Sequence, residues 1–377
     1  MMIKDSGFFN RFITRFRGSG HAPVSFDSSL SGKVSQMLPR VVTIALVSLL
    51  SIVLLVFTWP QLFDLQAAPV IAQVVSLRGL DVTIALAAVL VLGMLALNRY
   101  ARRLTLALAV PFVIFAIVTT AILGGRGFGI PVNASPLPPG ALTVMEWNTK
   151  GDATGAAAIA KVALTEHAEI VSLPGTTQDV GARVALTMKA AGHPMWVYST
   201  AFGHVARSKS TTLLISSSLG RYEVEGRVGN TVVQPSIVVK PVDGVGPTLV
   251  AVHAVSPRPS QMRNWRTDLK YLSMLCDGPT NGNGLIMTGD FNATLDNLQP
   301  LSSMPGADFG QCFDAALQTR GAAVGSWPTA LPPLLGAQID HVMTTLQWKT
   351  FSMRVVTTED HAGSDHRPIV ATIIPAR

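Results

Sequence analysis

The sequence predicts a layered α/β sandwich that follows a transmembrane region. The 377 residues are 48% hydrophobic and only 14% charged, a balance too apolar for a purely soluble protein. From residue 141 onward, two strand–helix units are followed by a series of short β-rich segments. The chain therefore combines membrane-spanning helices with one domain of mixed strands and helices.

Three apolar segments have the length of roughly 20 residues that a helix needs to cross a bilayer. They lie at about 41–59, 80–98 and 104–124. The second is shorter, with Arg78 and Asp81 at its entrance, so a re-entrant or interfacial piece is the alternative there. The first begins after 40 residues and is followed by two more spans, which argues against a cleaved signal peptide. We expect a transmembrane region at 41–125.

Lys and Arg residues set the predicted orientation. Six of them lie within residues 1–40, and Arg99, Arg102 and Arg103 lie between the second and third spans, whereas the first outer loop has only Arg78. By the positive-inside rule, the N-terminal segment 1–40 is cytoplasmic and everything after the third span is outside. We therefore expect a multi-pass plasma-membrane protein whose C-terminal domain is extracytoplasmic.

The formal charge of +7 does not indicate nucleic-acid binding. Residues 1–133 hold 11 Lys and Arg against 4 Asp and Glu, whereas residues 134–377 hold 18 of each group. The excess of positive charge therefore belongs to membrane topology. The exported part lacks the positive field expected of a sequence-tolerant nuclease.

Cys276 and Cys312 both lie in the exported part. That compartment permits a disulfide, but sequence does not supply the geometry, so their pairing stays open. Two cysteines so far apart, with no second pair nearby, do not have the spacing of a zinc site.

The exported part divides into a spacer and a domain. Residues 126–140 contain a proline-rich stretch typical of a stiff, extended linker. Residues 141–377 have the size of one compact domain. Its first predicted elements are a strand at 141–148, a helix at 152–167, a strand at 169–173 and a helix at 177–192.

Two strand–helix units in succession favour parallel pairing. Polar Asp152 opens the first of these helices and Gly192 ends the second. Later apolar runs, separated by Gly or polar turns, predict antiparallel strands, and one further helix is expected near 260–276. This count indicates two mixed sheets flanked by helices.

Polar side chains that could do chemistry stand at the ends of five predicted strands. They are Asn148, His253, Asp290 with Asn292, Asp340 with His341, and Asp365 with His366. Functional groups commonly lie on loops that a rigid scaffold positions. Taken singly, each has an ordinary alternative, such as a turn residue for Asn148 or a surface loop for an Asp-His pair.

In this order and spacing, the segments GDFN (289–292), IDH (339–341) and SDHRP (364–368) resemble the endonuclease/exonuclease/phosphatase superfamily. The resemblance extends over 141–375 and implies a four-layered α/β sandwich that hydrolyses phosphoesters with a divalent metal. Such hydrolysis needs an activated water, a cation and positioned donors, but no covalent nucleophile. Motifs of competing chemistries, such as a Gly-rich phosphate loop or HExxH, are missing from the sequence.

The resemblance also implies roles for the catalytic residues. Asp290 would orient or deprotonate the attacking water, and Asn292 would hold the scissile phosphate. Asp340 would pair with His366, whose cationic imidazole would contact a phosphate oxygen. His253 would lie near the phosphate and assist the leaving group. His341, next to the pairing Asp340, is interpreted as structural.

Asn148 and Asp365 would lie near the metal, most plausibly Mg²⁺ or Mn²⁺, because hard cations prefer oxygen ligands. One expected ligand is missing, since the second strand of the superfamily normally ends in a metal-binding glutamate and Gly175 stands there. Glu146 precedes Asn148 by two residues, so both side chains share a face and Glu146 could supply the carboxylate. A strand-end charge turned to solvent is the alternative. Asp179 is a distant third candidate, better explained as a first-turn helix acid.

The leading function is a membrane-anchored, metal-dependent phosphoesterase that acts outside the cytoplasm. A catalytically impaired module that binds phosphate ligands or partners is the alternative, and a primary assembly or sensing role of the membrane region is less favoured. Phospholipid head groups, nucleic acid and small phosphate esters all stay open as substrates, with the lipid bilayer as a partner. Trp265, Arg263 and Arg266 could line a groove, but a helix face with one buried aromatic ring is the preferred interpretation.

Overall fold

The computed structural model describes residues 28–129, 137–203, 206–226, 231–278 and 282–376. Most of the proline-rich stretch of the predicted spacer and the first 27 residues of the predicted cytoplasmic segment lie outside these ranges. The chain forms two compact units, Met1–Ser48 and Leu49–Arg377. Apart from the beginning of the first helix, the elements described below belong to the second unit.

The elements of the described residues alternate largely as expected. The helices are α1 Ser28–Thr58, α2 Ile71–Val75, α3 Arg78–Leu95, α4 Arg102–Arg126, α5 Ala156–Thr165, α6 Gln178–Ala190, α7 Met262–Asp277, α8 Leu295–Leu298 and α9 Ala315–Gln318. The strands are β1 Leu142–Glu146, β2 Ile170–Pro174, β3 Met195–Ala201, β4 Ser210–Ser216, β5 Tyr222–Val224, β6 Ile237–Pro241, β7 Thr248–His253, β8 Leu285–Asp290, β9 Phe313–Asp314, β10 Asp340–Thr344, β11 Trp348–Val355 and β12 Ile369–Pro375.

Three helices are long and apolar enough to cross a membrane: Arg40–Thr58 within α1, Arg78–Leu95 and Arg102–Arg126. The second of them is a continuous helix of 18 residues, so the re-entrant alternative does not describe its backbone. Small side chains let α3 and α4 approach each other, because Ala85 and Ala116 are buried together with Phe115. Length and composition thus match all three predicted spans.

Two six-stranded mixed sheets form the centre of the described part of the C-terminal domain. The first has the strand order β11-β12-β1-β2-β4-β3 and the second β5-β6-β7-β8-β10-β9. Parallel pairs join β1 to β2 and β7 to β8, and the other pairs are antiparallel. The parallel pairing expected from the two strand–helix units is confirmed.

Three buried clusters separate four layers. The cluster between the sheets contains Val144 and Ile170 from one sheet and Leu249 and Ile286 from the other. A second cluster packs α5 and α6 on the outer face of the first sheet, and a third packs α7 on the outer face of the second. Helices thus cover both outer faces, and the four-layered α/β sandwich is confirmed.

Two local features differ from expectation or resolve an open question. Asp152 does not open α5, which begins at Ala156 with Gly155 as its N-cap. The Asp152 carboxylate instead accepts hydrogen bonds from the backbone N–H and the hydroxyl of Thr177, at 2.9 and 2.8 Å, and so fixes the start of α6. Cys276 and Cys312 form a disulfide beneath α7.

A buried ion cluster ties two helices of membrane-spanning length, α3 and α4, to α8, which follows β8 of the second sheet. Asp296 accepts hydrogen bonds from Arg78 Nε and Nη2, at 2.8 and 2.7 Å, and from Arg126 Nη1 at 2.9 Å. Burial acts to raise the pKa of Asp296, but the charges and hydrogen bonds of the two arginines hold it well below its usual range. The carboxylate is therefore ionised and is the shared counter-charge of two guanidinium groups.

Asp296→Asn should destabilise the full chain by about 3–5 kcal/mol, because it leaves two guanidinium groups without a buried counter-charge. Because folding depresses this pKa, the carboxylate stabilises the fold above its unfolded value of about 4, and the contribution disappears as the pH falls further. Tryptophan fluorescence during unfolding in detergent should show a gap from wild type that is constant above pH 5 and shrinks below about pH 4. Asp243→Asn, at an exposed turn, is the matched control and should unfold like wild type. Equal stability of Asp296→Asn and wild type would contradict the ion cluster.

Candidate active site

The predicted site residues meet at one end of the two sheets. Asp290 ends β8, and the strand register pairs it with His253 of β7 on one side and Asp340 of β10 on the other. Asn148 follows β1 of the first sheet, and His366 lies on the loop before β12. The two sheets thus deliver polar side chains to the same edge.

Asp290 is the acceptor at the centre of this site. Its Oδ2 accepts hydrogen bonds from Asn148 Nδ2 at 2.8 Å and from Asn292 Nδ2 at 2.9 Å, and its Oδ1 accepts one from the Asn292 backbone N–H at 2.8 Å. The second amide hydrogen of Asn292 is donated to the Ala254 carbonyl at 2.9 Å. The side-chain amide of Asn292 therefore donates to Asp290 and Ala254, whereas the resemblance implied that Asn292 would contact the phosphate.

Asp340 and His366 form a buried pair. His366 Nδ1 lies 2.9 Å from Asp340 Oδ2, and its Nε2 lies 3.9 Å from Asp290 Oδ2. Burial acts to lower the pKa of His366, but the charge and hydrogen bond of Asp340, together with the charge of Asp290, raise it to about 9. The imidazole is therefore cationic at neutral pH, with Nε2 turned toward Asp290.

Burial and neighbouring charges also shift the pKa values of Asp290 and His253. Burial and the charge of Asp340 raise the pKa of Asp290 to about 7, against the opposing charge of His366. Burial, followed by the positive charge of His366, lowers the pKa of His253 to about 3. His253 is thus neutral, and its Nδ1 lies 3.2 Å from Thr211 Oγ1.

Glu146 lies fully buried beneath this cluster. The alternative of a charge turned to solvent is therefore wrong. Among the residues that the structure describes, neither carboxylate oxygen meets hydrogen-bond geometry, although Asp340 and the Asn148 backbone lie close enough to influence its pKa. Burial, and then the negative charges of Asp340 and Asp290, raise its pKa well above the usual range.

Asp290, Asp340 and His366 together form a possible metal-binding cluster, because their ligand atoms lie within 4.8 Å of one another. Uncompensated buried carboxylates are costly unless a cation or a proton joins them.

A cavity of about 480 Å³ opens over these groups. The predicted residues that line it are Asn148, His253, Asp290, Asn292, Asp365 and His366, together with Gly175. Asp365 is partly exposed, and its Oδ2 lies 3.4 Å from Lys150 Nζ. Glu146 and Asp340 do not line the cavity but lie behind the residues that do.

Among the residues lining the cavity that sequence reasoning missed, five bear on the chemistry or the boundary of the site. Two are cationic, and their positions carried a signal: Lys150 follows Asn148 by two residues, and Arg258 lies on the loop after His253. The other three, Gln73, Ser76 and Leu77, come from the loop between the first two spans. Nothing in the domain's motifs points to that loop.

Two other predicted residues lie outside the cavity. His341 is buried, with Nδ1 2.7 Å from Asp314 Oδ2 and Nε2 2.9 Å from the Ala293 carbonyl, as a structural residue requires. Trp265 is buried in α7, and its indole N–H donates to the Asn292 carbonyl at 3.0 Å. The tryptophan therefore supports the loop that carries Asn292 and does not line a groove.

Gly175 stands at a position that strongly favours glycine. Its φ is +67°, and a Cβ there would lie 3.0 Å from Asn148 Oδ1 and 3.1 Å from the Gly151 nitrogen. Its carbonyl accepts hydrogen bonds from Asp152 N–H and the Thr149 hydroxyl, at 3.0 and 2.9 Å. The conformation of this loop therefore depends on a residue without a side chain at position 175. Asp179 lies exposed in the first turn of α6, as expected of a helix acid.

Gly175→Glu should destabilise the protein and should not increase its affinity for Mn²⁺, because the new Cβ displaces Asn148. Gly192→Glu is the matched control, since it has a similar positive φ of +87° but no atom within 4 Å of a Cβ. The control should lose about 1–2 kcal/mol from backbone strain alone, and Gly175→Glu should lose more. Unfolding and Mn²⁺ titration measure both quantities. A Gly175→Glu protein with wild-type stability and tighter Mn²⁺ binding would contradict this account.

Several known structures are similar to this chain. An endonuclease/exonuclease/phosphatase from Beutenbergia cavernae is 20% identical, over 63% of this chain and 72% of that chain, with a TM-score of 0.47. A humanized D. rerio TDP2 is 15% identical, over 62% and 98%, with a TM-score of 0.48. An endonuclease/exonuclease/phosphatase from Bacteroides vulgatus is 14% identical, over 62% and 99%, with a TM-score of 0.46.

The family comparison is the informative one. No curated protein sequence matches the chain significantly. The model of the Endonuclease/Exonuclease/phosphatase family matches residues 145–366, which is more than half of the chain and extends from β1 to His366. The protein therefore belongs to the endonuclease/exonuclease/phosphatase family of phosphoester hydrolases.

Proposed function

We propose that this protein is a membrane-anchored, metal-dependent phosphoesterase that acts outside the cytoplasm. The observation that carries the proposal is the arrangement of Asp290: its carboxylate is held by Asn148 and Asn292 and lies at the bottom of a cavity that His366 also lines. An oriented acceptor beside a cationic imidazole is what in-line attack of water on a phosphoester requires.

We assign to Asp290 the orientation and deprotonation of the attacking water. Asn148 and Asn292 leave its carboxylate little freedom to rotate, because three hydrogen bonds fix both oxygens. With a pKa of about 7, the carboxylate is a competent proton acceptor near neutral pH. Asn292 acts through Asp290 and is a positioning residue.

We assign to His366 the binding of the phosphoryl group. Its Nδ1 is engaged by Asp340, so the N–H that is free to face the cavity is Nε2. A cationic donor there stabilises the negative charge that develops on a phosphoryl oxygen. His253 is neutral, so we assign it a hydrogen bond to the substrate and not protonation of the leaving group. Lys150 and Arg258 add positive charge at the cavity mouth.

The residues present fit a hard divalent cation such as Mg²⁺ or Mn²⁺. Carboxylate and amide oxygens of Asn148, Asp365 and Glu146 form the proposed donor set, beside the cluster of Asp290, Asp340 and His366, whose ligand atoms lie within 4.8 Å of one another. The buried carboxylate of Glu146 is proposed to replace the one that Gly175 does not supply. When bound, the cation neutralises charge on the phosphoryl oxygens and lowers the pKa of a coordinated water. Lys150 would have to release Asp365 for that residue to take part.

Asp290→Asn should reduce hydrolysis of bis(p-nitrophenyl) phosphate by the full chain in detergent by about 10²–10⁴-fold, because it removes the proton acceptor. Chelation with EDTA should abolish wild-type activity, and Mn²⁺ should restore it. Asp243→Asn is the matched control and should keep wild-type activity. Activity that is indifferent both to EDTA and to Asp290→Asn would refute the proposal.

Glu146→Gln should weaken Mn²⁺ binding by about 10–100-fold, the usual range for a carboxylate that supports a metal site. Electron paramagnetic resonance of free Mn²⁺ measures the affinity without any turnover. Glu169→Gln, a half-buried carboxylate that accepts a hydrogen bond from Thr143 N–H, is the control. Unchanged affinity in Glu146→Gln would mean that Glu146 is simply protonated. Tight Mn²⁺ binding without turnover by wild type would instead favour the impaired binding module.

The three apolar helices support the membrane anchor, and the charge pattern supports the orientation. Arg99, Arg102 and Arg103 connect α3 and α4 on the side proposed to be cytoplasmic. Arg78 and Arg126 lie on the opposite side, where both pair with Asp296, and this side has fewer basic residues than the side of Arg99, Arg102 and Arg103. A phosphatase reporter fused after residue 377 should be active only if that end is exported, and a cytoplasmic signal would overturn the localisation.

A further inference from the structure

The catalytic cavity has one wall that does not belong to the sandwich. Gln73, Ser76 and Leu77 line the same cavity as Asp290 and His366, and we call these three residues the outer-loop wall. The candidate span begins at Arg78, directly after Leu77. The cavity therefore reaches to within one residue of the start of a membrane helix.

Direct contacts fix the outer-loop wall to the sandwich. The Gln73 amide nitrogen donates to the Pro257 carbonyl and lies 3.5 Å from Met262 Sδ. Ala72 is buried in the same cluster as Met262 and Trp265. The wall is thus packed against α7, the helix whose tryptophan supports the catalytic loop.

The rest of the outer loop, residues 59–77 between the first two candidate spans, is also bonded to the sandwich. Asn297 Nδ2 donates to the Gln66 carbonyl at 2.8 Å, and Gln61 Nε2 donates to the Asp296 carbonyl at 3.0 Å. Arg266 Nη1 donates to the Ala67 carbonyl at 2.9 Å. With the Asp296 ion cluster, these bonds hold the ends of the membrane helices and the catalytic loop in one arrangement.

The exposed face of the outer loop is apolar. Its exposed side chains include Trp59, Leu62, Phe63 and Val70. Large apolar side chains next to a helix end, with a tryptophan among them, are typical of the membrane–water interface. The loop that forms the outer-loop wall therefore also has an apolar surface of the kind that suits contact with a bilayer.

We propose, on the basis of the phosphoesterase function above, that the substrate is a glycerophospholipid of the same bilayer. Its phosphodiester would enter the cavity past the outer-loop wall while its acyl chains stay in the membrane. Lys150 and Arg258 provide cations for an anionic head group, and a cavity of about 480 Å³ has room for a head group. The equal numbers of acidic and basic residues in 134–377 give no positive track for a long nucleic acid.

The reaction balances without a further reactant. The oxygen of water forms a bond to phosphorus, one phosphoester P–O bond breaks, and the departing alcohol oxygen takes up a proton. Asp290 accepts the proton that water loses.

The test uses the full chain reconstituted with Mn²⁺ into vesicles of phosphatidylglycerol and phosphatidylcholine. Phosphorus NMR should show hydrolysis of the bilayer lipid at least about tenfold faster than that of glycerophosphoglycerol, the deacylated analogue, at the same total concentration. Bis(p-nitrophenyl) phosphate reports whether the site is active at all. No hydrolysis of that ester would refute the proposed function itself. Its hydrolysis without faster turnover of the lipid, or faster turnover of a single-stranded DNA oligonucleotide, would overturn the lipid substrate alone.

Variants of the outer-loop wall sharpen the test. Gln73→Ala and Leu77→Ser should each lower the ratio of lipid turnover to bis(p-nitrophenyl) phosphate turnover by about tenfold, and the ratio is independent of the amount of folded protein. Gln299→Ala is the matched control: it also loses a partly buried side-chain hydrogen bond, to Asp308 at 3.2 Å, but does not line the cavity. Its ratio should stay at the wild-type value. An unchanged ratio in both wall variants would overturn the proposal.

Discussion

The contact of Asp296 with two arginines determines where the candidate active site lies relative to the helices of membrane-spanning length. Arg78 begins one helix of membrane-spanning length and Arg126 ends another, and both donate to the same buried carboxylate. Asp296 follows Asp290 by six residues and lies in α8, the first helix after β8. A charge pair this deeply buried has to be satisfied completely, because an unpaired partner would be strongly destabilising. The helix ends and the catalytic loop are therefore held together, and the active site is proposed to lie at the bilayer surface.

The need to balance buried charge also bears on the proposed metal ligands, which include Glu146 and lack a side chain at Gly175. Glu146, Asp290 and Asp340 bring three carboxylates together, with His366 as the neighbouring cation. In the proposed function, a divalent cation supplies the remaining positive charge. The loop at Gly175 has closed around Asn148 and leaves no room for a side chain, while Glu146 adds a carboxylate on the adjacent strand. We infer that the missing and the additional carboxylate are two parts of one rearrangement of the site.

Much of the fold was predictable because its determinants are local. Continuous apolar runs of membrane length, the two strand–helix units and the segments GDFN, IDH and SDHRP each depend on neighbouring residues, and they indicated the spans, the four layers and the meeting point of the polar side chains. The predicted start of α5 was wrong, because Asp152 accepts hydrogen bonds from Thr177 at the start of α6 and does not open α5. The disulfide, the burial of Glu146 and the outer-loop wall depend on contacts between distant segments. No local pattern encodes the bond between Gln73 and Pro257, which are 184 residues apart.

The contact between the outer loop and the catalytic cavity is the central element of this account, and cross-linking in a bilayer measures it most directly. A photoreactive p-benzoyl-phenylalanine at residue 73 of the full chain in lipid nanodiscs should cross-link to the peptide that contains Pro257 and Met262, as mass spectrometry would show. The same group at residue 62, on the exposed apolar face of the loop, should label lipid. Labelling of lipid alone from residue 73, with no product on the 257–262 segment, would contradict the account.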